Sequence, residues 1–282
     1  MTIAEIHKKY IAALQTIYGE GEAIAITNIA FENILHLTKQ NIITNGDEIL
    51  DEKIEAKLNE VLSKLLTHEP IQYVVENAWF YNLNFKVNNA VLIPRPETEE
   101  LVFEAINFLK NNNGKSVLDI GTGSGCIPIS IKKNIASAEV HALDVSEDAL
   151  EVAKENSIKN NVEIDFITLD FLVDDYYIYL GKYDLIISNP PYIPNDETLD
   201  DNVTKYEPHL ALFVPENDAL IFYKKIVAFA ENHLADKGKI MLEVHENLAK
   251  ETAALFSNNN YDVMIKKDMQ GKERILIIGR YH

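Results

Sequence analysis

From residue 116 to the end of the chain, short β-branched runs alternate with helix-length segments, and no other sequence feature narrows the possible folds as much. The runs are "SVLDI", "AEVHALD", "VEIDFITLD", "YDLIISN", "KIMLEV", "YDVMIKK" and "RILIIG". Largely apolar strands separated by helices form a mostly parallel sheet covered on both faces, a doubly wound α/β fold. The last two runs lie too close together for a crossover helix, so they are expected to pair antiparallel at one edge.

The chain before this region has a different period. Ile3, Ile6, Tyr10, Leu14 and Ile17 recur at three- and four-residue steps, as do Ile54, Leu58, Val61, Leu62 and Leu65, with Ala23, Ile26, Ala30, Ile34 and Leu37 marking another helix between them. Residues 1–72 therefore read as a small helical bundle punctuated by Asn45-Gly46-Asp47. Trp79, Tyr81, Leu83, Phe85 and Val87 alternate with polar and other residues, predicting a hairpin broken near Asn82 or Asn84 within a linker over 73–95. The α/β domain is expected over 96–282. It opens with "IPRPETEELVFEAINFLK", where Pro96 suits a helix entry and Glu97, Glu99 and Glu100 suit the positive end of a helix. Asn111-Asn112-Asn113-Gly114 reads as a loop.

Charge and composition exclude several classes of function. A formal net charge of -18 over 282 residues repels phosphate backbones and anionic lipid, so neither nucleic acid nor membrane is expected as a partner. The single cysteine, Cys126, allows no internal disulfide, and no apolar run reaches membrane-spanning length. No secretory signal is apparent, so the expected setting is the cytoplasm and the expected state a monomer. The eight histidines show no metal-ligand spacing, and no metal site is assigned.

Four features mark a site. "VLDIGTGSGCIPIS" ends a strand with Gly121-Thr122-Gly123-Ser124-Gly125, where glycines permit close approach of a ligand and the next helix presents free amides. The spacing is G-x-G-x-G, with Cys126 where a dinucleotide-binding loop has its third glycine. Asp144 closes the next strand, 23 positions after Gly121, where a carboxylate can accept both hydroxyls of a ribose or simply cap the following helix. Phe171 follows the third strand and suits a cover for a flat purine, or a core position. Asn189-Pro190-Pro191-Tyr192 ends the fourth strand. There the Asn189 carboxamide oxygen and the Pro190 carbonyl can accept hydrogen bonds from one planar NH2 group while Tyr192 stacks on its plane, preparing that nitrogen to attack an electrophilic methyl carbon. The prolines fix the corner and add no competing donors. As a bare turn the corner needs none of these groups.

With "IPRPETEELV", "VLDIGTGSGCI", "NPPYIP" and "YEPHLAL" together, the sequence resembles the HemK/PrmC family of protein-(glutamine-N5) methyltransferases along nearly its whole length. The resemblance implies a class I S-adenosylmethionine-dependent methyltransferase domain, a hairpin linker and an N-terminal helical domain that recognises the substrate. That substrate would be the glutamine of the Gly-Gly-Gln loop of peptide chain release factors. Carried over by position, Gly121 to Gly125 would hold the methionine part of the cofactor, Asp144 the ribose and Phe171 the adenine region, with Asn189 bordering the cofactor. Asn189, Pro190, Pro191 and Tyr192 would bind the glutamine, with Asn189, Pro190 and Tyr192 serving catalysis. One stretch departs from the family pattern: "FVPENDAL", Phe213 to Leu220, stands where a Gly-Gly and Asp-Gly-Leu run is common, at the rim of the peptide channel. Related chemistries are a glutamine methyltransferase acting on a ribosomal protein and an adenine-N6 DNA methyltransferase, the latter at odds with the acidic chain. A nucleoside-binding regulator would leave the Asn-Pro-Pro-Tyr corner idle.

Overall fold

The computed structural model describes residues 1–112, 115–173, 180–194, 201–214 and 218–281. The chain divides into two compact units, Met1–Asn77 with Asp201–Tyr206, and Ala78–Asp200 with Glu207–His282.

The N-terminal unit contains α1 (Ile3–Leu14), α2 (Glu20–Leu35), α3 (Lys39–Thr44), α4 (Glu52–Leu65) and the short α5 (Ile71–Val74). Local chemistry sets where they start. The Thr2 hydroxyl accepts from the Glu5 amide while the Glu5 carboxylate accepts from the Thr2 amide, and Thr38 and Asp51 cap α3 and α4. Helices this short are marginal alone, so the unit depends on the apolar stripe shared by Ile6, Tyr10, Leu14, Phe31, Leu58 and Leu65, all fully buried. The Tyr10 hydroxyl donates to the Leu58 carbonyl, which satisfies the one polar atom the ring takes into that core.

The second unit begins with a hairpin, β1 (Ala78–Phe80) and β2 (Leu83–Phe85), turning at Tyr81 and Asn82. Both turn residues have positive φ, 48° and 59°, as a tight twisted hairpin requires. The two-residue turn resets the alternation predicted across the segment: Phe80 and Phe85 are buried, whereas Trp79 is 69% exposed. Next come α6 (Pro96–Asn112), β3 (Ser116–Ile120), α7 (Cys126–Asn134), β4 (Glu139–Asp144), α8 (Glu147–Lys159), β5 (Asp165–Thr168) and β6 (Tyr183–Ser188). Helix α6 takes in Asn111 and Asn112, read as loop from sequence, and Asn112 Nδ2 bonds back to the Phe108 carbonyl. The excursion α9 (Asp201–Tyr206) groups with the N-terminal unit, where the Tyr206 hydroxyl donates to the Thr67 carbonyl at 2.7 Å. The chain ends with α10 (His209–Leu212), α11 (Ile221–His233), β7 (Leu234–Glu243), α12 (Ala249–Ser257), β8 (Tyr261–Lys267) and β9 (Glu273–Arg280).

Seven strands form one sheet in the order β5-β4-β3-β6-β7-β9-β8. The first five run parallel and β9 and β8 pair antiparallel at the edge, as the spacing of the last two runs predicts. Strand β7 starts at Leu234, ahead of the apolar run beginning at Lys239, and the register shifts opposite Tyr183 and Leu185. Gly238 permits that shift, since a Cβ there would sit 2.9 Å from the Tyr183 carbonyl. Alternating residues send Leu118, Ile186 and Leu242 to a core shared with α11 and α12, and Val117, Leu185 and Met241 to one shared with α6 and α7. Chain order reverses beside β3, with β4 on one side and β6 on the other, and open α/β sheets bind ligands beyond the strand ends at such a switch point. Among the described residues, no helix is long and apolar enough to cross a membrane.

Candidate active site

Register alone gathers the residues singled out from sequence. Ile120 of β3 lies beside Leu143 of β4 on one side and Ser188 of β6 on the other, so the next residues, Gly121, Asp144 and Asn189, meet at one carboxyl edge of the sheet, Asp144 as the last residue of β4. The Ser188 hydroxyl donates to the Ile120 carbonyl at 2.6 Å, fastening the two strand ends beneath the site. A cleft opens above them, lined by the glycine loop, Asp144, Phe171, Asn189, Pro190 and Pro191.

The glycine loop needs its glycines. Gly121, Gly123 and Gly125 have φ of 74°, 54° and 78°, a region costly for residues with a Cβ. At Gly125 a Cβ would also lie 2.9 Å from Ile129 Cδ1, so the loop and α7 pack without space for one. A Cβ at Gly121 or Gly123 would meet, among the described residues beyond its chain neighbours, no atom within 4 Å, so open space lies over both.

Asp144 is engaged twice by backbone: Oδ2 accepts from the Gly123 amide at 2.8 Å and Oδ1 from the Ser146 amide at 3.0 Å. The cap of α8 is Ser146 itself, whose hydroxyl accepts from Ala149. Asp144 thus braces the glycine loop and lines the cleft, and burial pushes its carboxyl up against the lowering pull of those amides. Phe171 is buried among core residues, edge-on to Phe229 at 5.5 Å between ring centres, and also contributes to the cleft wall.

At the Asn-Pro-Pro-Tyr corner every peptide bond is trans. Asn189 Nδ2 donates to Thr98 Oγ1 at 3.2 Å, and the Thr98 hydroxyl lies 2.7 Å from Glu243 Oε2. Tyr192 packs on the α11–α12 core and tilts against His245, 5.7 Å between ring centres. Burial raises the Tyr192 phenol, as does the nearby Glu243 charge, while Arg274 lowers it. Beyond Tyr192, the Ile193 amide and carbonyl bond to Leu212 and Val214, so the "NPPYIP" and "HLALF" segments hold one another. Of the departing stretch 213–220, residues 215–217 lie outside the described residues, while Val214 and Leu220 are buried.

Several contributors escaped the sequence reading. Asp119 on β3 is fully buried beside the glycine loop, and among the described residues neither of its carboxylate oxygens has a hydrogen-bond partner. The Thr122 hydroxyl approaches it and favours the anion, but burial dominates and repulsion from Asp144 adds to it, pushing the carboxyl up to about 7. Thr98 and Glu243 are buried under Asn189. Glu207 accepts from Arg95 at 2.6 Å, joining "IPRPETE" to "YEPHLAL" at the edge of the cleft. The acids of α6 do more than complement a helix end: Glu99 accepts from the Tyr81 amide in the hairpin turn and Glu100 from the Met269 amide between β8 and β9. The available signal was a charged residue inside an apolar strand, as in "SVLDI" and "KIMLEV".

Asn156 of α8 supports the loop from behind. Its Nδ2 donates to the carbonyls of Ser124 and Lys86, each at 2.9 Å, and its Oδ1 accepts from the Lys86 amide at 2.6 Å. Asn156→Ala leaves those backbone groups unsatisfied and is expected to lower stability by about 1–3 kcal/mol, measured as a shifted urea midpoint. An unchanged midpoint would show that the three bonds contribute nothing.

A family model described as "Methyltransferase small domain" matches residues 104–206, and one described as "PrmC N-terminal domain" matches residues 5–75. The chain is 40% identical to the release factor glutamine methyltransferase of Flavobacterium psychrophilum over 99% of each chain. It is 38% identical to that of Bacteroides thetaiotaomicron, over 95% of this chain and 96% of the relative. Among solved structures, the hMettl16 catalytic domain in complex with the MAT2A 3'UTR hairpin 6 aligns with a TM-score of 0.54 and 15% identity, covering 82% of this chain and 83% of that one. At that identity the likeness concerns fold alone, and the fold is that of class I methyltransferases.

Proposed function

The chain belongs to the release factor glutamine methyltransferase family, and from that premise we propose that it transfers the methyl group of S-adenosylmethionine to the side-chain amide nitrogen, N5, of the glutamine in the Gly-Gly-Gln loop of peptide chain release factors. The observation that carries this reading is the Asn189 carboxamide. Its nitrogen end is held by Thr98, which also lines the cleft, and this leaves its oxygen to accept from an incoming amide.

The residues present fit the cofactor. The unpartnered Asp119 carboxylate suits the ammonium of the methionine moiety, the open space over Gly121 and Gly123 admits its backbone, and Asp144 has lone pairs for the ribose hydroxyls. Phe171 offers the wall for the adenine. When bound, S-adenosylmethionine supplies a methyl group on a positively charged sulfur.

The chain supplies the rest. Asn189 Oδ1 and the Pro190 carbonyl accept the two N–H bonds of the glutamine amide, and the Tyr192 ring lies against its plane. This holds the nitrogen in line for attack and places two acceptor oxygens where positive charge develops, an effect of position and electrostatics that needs no strong base. As the nitrogen–methyl bond forms, the electron pair of the broken bond stays with the sulfur, and the methylated amide then gives up one proton to solvent. The N-terminal unit recognises the body of the release factor, and a translation factor as substrate places the enzyme in the cytoplasm.

The test is transfer of labelled methyl from S-adenosylmethionine to a purified release factor. Label is expected on the native factor and absent from one whose loop glutamine is replaced by alanine. Ribosomal proteins and duplex DNA serve as parallel acceptors, and preferential labelling of either would overturn the assignment.

A further inference from the structure

We infer that Thr98 and Glu243 act as a positioning relay that fixes which end of the Asn189 carboxamide faces the substrate; this rests on the reading of Asn189 as an acceptor for the glutamine amide. The two ends of a carboxamide are nearly equal in size, so a half-turn exchanges acceptor for donor at almost no steric cost. A reversed Asn189 would present its own NH2 to the NH2 of the substrate.

The polarity is decided one residue away. Thr98 has a single hydroxyl hydrogen and lies between Asn189 Nδ2, at 3.2 Å, and Glu243 Oε2, at 2.7 Å. An ionised Glu243 only accepts, so it takes that hydrogen and leaves Thr98 only lone pairs to offer Asn189. Asn189 must then give its N–H to Thr98 and turn its oxygen away. Once Glu243 gains a proton, it can donate to Thr98, whose hydrogen is freed toward Asn189. The reversed carboxamide is then equally satisfied.

Glu243 is 3% exposed. Burial pushes its carboxyl up to about 7; Glu97 pushes the same way, and Thr98, Arg274 and Arg95 oppose it. Tyr192, Tyr223 and Cys126 also lie within its field. The relay is therefore set near neutrality, with its productive polarity on the alkaline side.

The experiment measures methyl transfer to an intact release factor by the full chain and three variants. Thr98→Val keeps the shape and removes both hydrogen bonds, and is expected to lower kcat about 10- to 100-fold with KM for the factor little changed. Calorimetric affinity for S-adenosylmethionine should stay at the wild-type value. Thr98→Ser keeps the hydroxyl and should recover most of the rate, which also guards against a valine variant that fails to fold. Wild-type kcat should decline as pH falls through about 7, and Glu243→Gln should lack that decline, which separates Glu243 from Asp119 and other groups titrating nearby. Wild-type kcat in Thr98→Val, equal losses in the valine and serine variants, or an unchanged pH profile in Glu243→Gln would each overturn the relay. An inactive wild type would instead overturn the functional reading, and the relay with it.

Discussion

Replacing Asn189 with alanine is expected to lower turnover on a release factor by about 10²–10³, the typical cost of removing one positioned polar group that acts on the developing charge. The residue follows β6 and lines the cleft but stands outside the glycine loop, so affinity for S-adenosylmethionine should change little. The fold should survive, because Asn189 is half-buried and its side chain bonds, among the described residues, to Thr98, which keeps Glu243 as a partner. Asn189→Asp is the sharper comparison. A carboxylate still accepts from the glutamine amide but has no N–H for Thr98, and it brings a second negative charge toward Glu243. Intermediate activity is expected from aspartate and almost none from alanine. Near-native single-turnover transfer by Asn189→Ala would reduce the Asn-Pro-Pro-Tyr corner to a turn.

The fold was legible because its signals are local. Each apolar run from "SVLDI" to "RILIIG" became a strand, and the short spacing of the last two foretold the antiparallel edge. Errors of detail arose where backbone geometry overrode composition: Asn112 continued α6 by bonding back to Phe108, and the two-residue turn at Tyr81 and Asn82 put Trp79 on the face opposite Phe85, with which the alternation had grouped it. The glycine loop, Asp144 and the Asn189 corner were also visible, since each sits at a strand end with a distinctive composition. Their supports were not. Thr98 lies 91 residues from Asn189 and Glu243 lies 145 residues from Thr98, separations at which no periodicity or spacing rule connects two positions. Only the closing of the sheet, with β7 next to β6 and α6 packed across them, brings a threonine from "PETEE" beneath an asparagine from "NPPY". The braces of a site are thus harder to read from sequence than the groups that touch the ligand.

Asp119→Asn is expected to move two properties of the enzyme in opposite directions, raising the stability of the cofactor-free protein while weakening its hold on S-adenosylmethionine. Alternation along β3 buries Asp119 completely, with neither oxygen bonded, and its carboxyl is pushed up to about 7 from an ordinary 3.8. Because the folded value is raised, the folded chain binds this proton more tightly than the unfolded chain does. The resulting stability is complete below the ordinary value and is lost as pH rises through about 7. Above that pH the fold carries a buried anion without a counter-charge, and an uncharged asparagine should regain about 1–3 kcal/mol. At roughly 2–4 °C per kcal/mol, thermal scans near pH 8 would show the gain, which should shrink toward pH 5, where Asp119 is already protonated. In the function proposed above, the ammonium of the cofactor is the counter-charge to this carboxylate. Losing that charged hydrogen bond costs about 1.5–3 kcal/mol, or about 10- to 100-fold in Kd. Ammonium binding also favours the ionised carboxylate, so below pH 7 the wild type should release a proton as it binds. Calorimetry near pH 6 in buffers of different ionisation heat would detect that release, and Asp119→Asn should lack this contribution. A variant that binds as tightly as wild type with the same proton release would remove Asp119 from the cofactor site and leave its buried charge unexplained.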